Sequence, residues 1–94
     1  MHEEAMLQDL RRKLVEVTDR EGVPRVARVR LWVGALSHVS EDQLRRQWPR
    51  VVDGTAAQSA ALEVTASRDI EDPRAQGLVL LSIVVEESGS TRER

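Results

Sequence analysis

The chain opens Met1-His2-Glu3, which gathers an amine, a backbone amide, an imidazole and a carboxylate within about one turn of chain. Such a density of nitrogen and oxygen donors suits a borderline divalent ion such as nickel(II) or copper(II). With histidine in second place, the Met1 amine, the amide nitrogen of His2 and its imidazole close two small chelate rings and set three nitrogens in a plane. Nickel and copper accept that square arrangement, whereas zinc prefers a tetrahedron. The candidate metal ligands are therefore Met1, His2 and Glu3, with a fourth position open. The same residues have a plainer explanation. Acidic side chains are favoured at the positive end of a helix dipole, and chain termini normally fray in solvent. The second histidine, His38, falls in a loop and reads as solvated rather than as a ligand.

Little else in the chain can do chemistry. No Ser/His/Asp set, phosphate loop or paired buried carboxylate can be placed, and two histidines are too few for most metal hydrolase sites. The expectation is a protein that is not an enzyme. The 94 residues contain no cysteine, which excludes disulfides, thiolate catalysis and a cysteine-type zinc site and asks for no oxidising compartment. A net charge of −2 and an aromatic content of 2% argue against nucleic acid as a partner, and the local arginine bunches read as solvated faces. No apolar run approaches a membrane span, and the acidic start lacks the features of a signal peptide, so a cytoplasmic protein without membrane contact is expected.

The elements that must position the terminus follow from periodicity. Leu7, Leu10, Leu14 and Val17 recur at intervals of three and four, predicting a helix over 3–20 that Gly22 and Pro24 end. Asp9 with Lys13, and Glu16 with Arg20, stand at the spacing of helical ion pairs. Over 25–33, Ala27, Val29, Leu31 and Val33 alternate with Arg28, Arg30 and Trp32, predicting a strand with one buried face and an indole lying over arginine stems. Ser40 with Gln43 forms a capping box that starts a second helix at Glu41, and Pro49 should kink its last turn or end it early. Residues 61–67 alternate again as a strand. The polar stretch 68–77 is a connection, and 78–86 is an apolar run consistent with a central strand covered on both faces. The fold class is α+β: two helices packed on a three-stranded mixed sheet, in the order α-β-α-β-β, with 1–87 as a single domain and 88–94 as a disordered tail. Two helices leave one sheet face uncovered, and that face or the exposed sheet edge could pair two copies in a homodimer.

Taken in order, MHE opening a helix, VRLWVGALSHVSEDQL, DGTAAQSAALEVT and GLVLLSIVVE resemble the HypA/HybF family of hydrogenase nickel-insertion proteins across nearly the whole chain. The resemblance implies a nickel metallochaperone that binds nickel(II) transiently through Met1, His2 and Glu3. It also implies delivery to hydrogenase, sometimes urease, in concert with a nickel-handling GTPase. It further implies a zinc domain built from two CxxC pairs between the last two strands, where this chain has only residues 68–77. The chain therefore reads as a variant without structural zinc. Two functions follow as expectations: a zinc-less nickel carrier, or a metal-free interaction or assembly module that keeps the fold.

Overall fold

The computed structural model describes residues 3–87 and 90–93. Two helices, α1 (Glu3–Arg20) and α2 (Glu41–Val52), pack on one face of a sheet formed by β1 (Val26–Val33), β2 (Ala61–Ala66), β3 (Leu78–Glu87) and the short β4 (Ser90–Glu93). Strand order is β2-β1-β3-β4. β1 is parallel to β2 and antiparallel to β3. The expected order α-β-α-β-β is present in full, and β4 extends it.

The helix α1 stops where glycine allows it. Gly22 adopts φ +64°, and the amides of Val23 and Gly22 donate to the carbonyls of Thr18 (2.9 Å) and Asp19 (3.2 Å), the paired bonds of a Schellman motif. Its buried stripe is Met6, Leu7, Leu10, Leu14 and Thr18, and Lys13 pairs with Asp9 at 3.0 Å. Glu16 pairs with Arg12 at 3.4 Å rather than with Arg20, as both spacings are available on a helix surface. The helix α2 runs to Val52, three residues past Pro49. Its free C-terminal carbonyls are met from α1: Nη1 of Arg11 donates to Val51 O and Asp53 O, each at 2.8 Å. Hydrogen bonds from a charged donor to helix-end carbonyls are among the stronger ones. Arg11→Met, which keeps the stem, is expected to lower stability by about 1–2 kcal/mol, measured by urea denaturation. A loss below a few tenths would show that water replaces the guanidinium.

Beneath the helices lie Val26, Val29, Leu31 and Val33 of β1, with Ile83 and Val85 of β3, all nearly sealed from solvent. Strict alternation would have turned Val26 outward with Arg28. A register shift in the pairing with β3 between Val26 and Arg28 makes Ala27 the extra residue and returns Val26 to the core. Leu62 and Val64 of β2 are only partly buried, because β2 is an edge strand. Two readings need correction. β3 is not covered on both faces: the helices occupy one side, and Leu81 is 49% exposed. The tail does not remain unpaired throughout 88–94, since Ser90–Glu93 form β4 against Val84–Glu87. A polar segment carries no apolar periodicity to announce an edge strand, which the backbone hydrogen bonds of an antiparallel pair can support.

Candidate metal centre

Of the three candidate ligands, Met1 and His2 lie outside the described residues, and Glu3 is the first residue of α1. Glu3 shares the side of the helix carrying Leu7, Leu10 and Leu14, and it is half-buried where α1 meets the N-terminus of α2. The contact is specific. Nε2 of Gln43 donates to Oε2 of Glu3 at 3.4 Å, while Oε1 of Gln43 accepts from the Ser40 amide at 2.8 Å. The Gln43 amide in turn donates to Oγ of Ser40 at 3.2 Å. One glutamine thus closes the capping box of α2 and tethers the carboxylate of Glu3. Beside it opens a cavity of about 410 Å³ lined by Glu3, Glu4, Leu7, Arg11, Gln47 and Arg50 among others.

On the other flank of α1, the exposed His38 lines a cleft of about 490 Å³ with Met6, Asp9, Lys13, Arg74 and Gln76. The carboxyl of Asp9 is held below the usual carboxylate range by hydrogen bonds from Lys13 and Arg12. It is already committed to cations and is a poor second ligand. Among the described residues no group of three or more His, Cys, Asp or Glu side chains is placed to hold a metal ion. Glu3 is thus the part of the candidate centre that the helices position. It offers a hard oxygen donor compatible with nickel, and the nitrogen donors would have to come from the residues before it.

The connection between β2 and β3, residues 67–77, is short and tightly docked. The amide of Gly34 donates to Gly77 O at 2.9 Å and that of Leu36 to Ala75 O at 2.7 Å. Ala75 is buried, and the guanidinium carbon of Arg74 lies 4.6 Å from the centre of the Trp32 ring, a cation–π arrangement. The arginine over Trp32 thus comes from this connection. The strand arginines Arg28 and Arg30 instead approach Glu63 at 3.2 and 3.7 Å. Sequence reasoning placed Gln43 in its cap but missed its contact with Glu3, which lies 40 residues away. The glutamine itself was a signal: a capping box needs only an acceptor at that position, leaving the amide's two N–H groups for another partner.

A family model described as "Hydrogenase/urease nickel incorporation, metallochaperone, hypA" matches residues 1–70. A curated relative, the hydrogenase maturation factor HypA of Rhizobium leguminosarum bv. viciae, is 41% identical over 64 residues, covering 68% of this chain. The chain spans 57% of that relative's length.

Proposed function

The chain belongs to the HypA family, and from that premise we propose that it is a non-catalytic nickel carrier for maturation of a nickel enzyme such as hydrogenase. Nickel(II) is its cargo, held transiently by the Met1 amine, the His2 amide and imidazole nitrogens, and the Glu3 carboxylate. The observation that carries this reading is a family match running from residue 1 through Met-His-Glu. A nickel-handling GTPase and the client enzyme are its partners, in the cytoplasm, with no role for nucleic acid or membrane. No helix among the described residues is long and apolar enough to cross a membrane.

Nickel titration calorimetry on protein with its native terminus, beside protein extended by two residues before Met1, tests the proposal. One nickel per native chain and a large loss of affinity in the extended form are expected, because extension converts the Met1 amine into an amide. Equal binding in both forms would remove the terminal site. Absence of binding in both would favour the second reading, a metal-free assembly module, supported by the half-exposed Leu36 and Leu81. A homodimer through the uncovered sheet face belongs to either reading and is checked by sedimentation.

Structural zinc is not part of the proposal, since the closed 67–77 connection and the absence of cysteine leave no thiolate zinc site. Treatment with a strong chelator is expected to leave the thermal midpoint unchanged, whereas loss of a structural zinc would unfold its domain.

A further inference from the structure

We propose that Gln43 is a positioning residue for the metal ligand Glu3, so that the N-terminal cap of α2 is part of the nickel site. The inference rests on the nickel-carrier reading and adds a second element of the fold to it. Glu3 on α1 and Gln43 on α2 meet through a single hydrogen bond, Nε2 to Oε2, at 3.4 Å. The donor cannot swing away freely. Its amide oxygen is held by the Ser40 amide at 2.8 Å, and the backbone of Gln43 is held by the Ser40 side chain at 3.2 Å. A carboxylate at the start of a helix otherwise samples several rotamers, and immobilising such a side chain opposes ligand binding. With Oε2 facing the Gln43 amide, the other carboxylate oxygen, Oε1, is the one proposed to bind the metal.

The chemistry of the cap sharpens the point. Glutamate would satisfy the same capping box and would also suit the helix dipole. Glutamine alone adds a donor on the side facing Glu3. An N–H partner steadies a metal-binding carboxylate without competing for the ion, as outer-shell hydrogen bonds do in metal sites generally.

The test is a double-mutant cycle on nickel affinity, measured by calorimetry on protein with its native terminus, using Gln43→Leu, Glu3→Ala and the combination. Gln43→Leu alone is expected to weaken nickel binding about two- to three-fold, the lower end for a neutral hydrogen bond, because the contact is long at 3.4 Å. It should also shift the d–d absorption of the bound nickel. In the Glu3→Ala background the same change should have no effect on affinity, because the group it acts through is gone. Thermal melts of metal-free Gln43→Leu and of Gln43→Glu, which keeps the capping acceptor, separate the cap from the site. Gln43→Leu should melt earlier, whereas Gln43→Glu keeps the cap but sets a second carboxylate against Glu3, so any loss in its melt should vanish in the Glu3→Ala background while its nickel spectrum differs from the parent's. Equal effects of Gln43→Leu with and without Glu3, or no effect on affinity and spectrum, would overturn the proposal while nickel binding that depends on His2 left the carrier reading standing. A parent protein that binds no nickel would overturn both.

Discussion

His2→Ala should reduce nickel(II) affinity by more than about 100-fold while leaving the thermal midpoint of the metal-free protein in place. Substituting a partner of a metal ligand already costs about 10–100-fold in affinity, and His2 supplies an imidazole nitrogen directly and closes a chelate ring. Stability should not follow affinity. The described helix begins at Glu3, and its first buried side chain is Met6, so residue 2 precedes every core contact on α1. The exchange removes none of the favoured N-capping residues Ser, Thr, Asp or Asn and none of the described core contacts, so it should stay within about 0.5 kcal/mol. The ligands must shed protons before they coordinate, so nickel binding by the parent should weaken as the pH is lowered. Calorimetry for affinity and circular dichroism for melting check both halves. Unchanged nickel affinity in His2→Ala would exclude the terminal site, and with it the carrier.

Among the described glycines, Gly34→Ala is expected to meet the tightest backbone contact and to lower stability by about 2–4 kcal/mol from overpacking plus lost hydrogen bonds. A methyl group at position 34 would stand 2.2 Å from Ala75 O, 2.5 Å from Ala75 C and 2.8 Å from Arg74 O. All three are backbone atoms, so no side chain can turn aside to relieve the contact. The 67–77 connection must lift instead, straining the bonds from Gly34 to Gly77 and from Leu36 to Ala75 and drawing Arg74 off Trp32. Gly77→Ala is the control, since its added methyl would meet Arg74 O at an ordinary 3.5 Å and should cost far less. Urea unfolding of the two variants measures the difference, with fluorescence in a Trp48→Phe background reporting on Trp32. Equal stability in the two would show that the connection is not anchored at Gly34.

The contrast between Gly22 and Gly34 shows where sequence reading reached its limit. Gly22 is legible because its positive φ serves a helix stop that the neighbouring residues already announce. Gly34 is not, because its role is a close approach to the backbone of Arg74 and Ala75, 40 and 41 residues downstream. Distance along the chain also hid the contacts of Arg11 with the end of α2 and of Gln43 with Glu3. Val26 was obscured by a bulge, since a two-residue period read from one strand cannot reveal an extra residue that appears only on pairing.

The sequence by itself determined the helical stripe of α1, the capping box of α2, the buried face of β1 and the order α-β-α-β-β, because each follows from spacing within a short window. It also supplied Met1, His2 and Glu3 as candidate ligands, since their value as chelators lies in their adjacency along the chain. The tertiary structure decided the edge placement of β2, the addition of β4 beyond β3, the docking of 67–77 against Gly34 and the tether between Gln43 and Glu3. These depend on which distant segments meet and how closely, and a local pattern of side chains does not encode that separation.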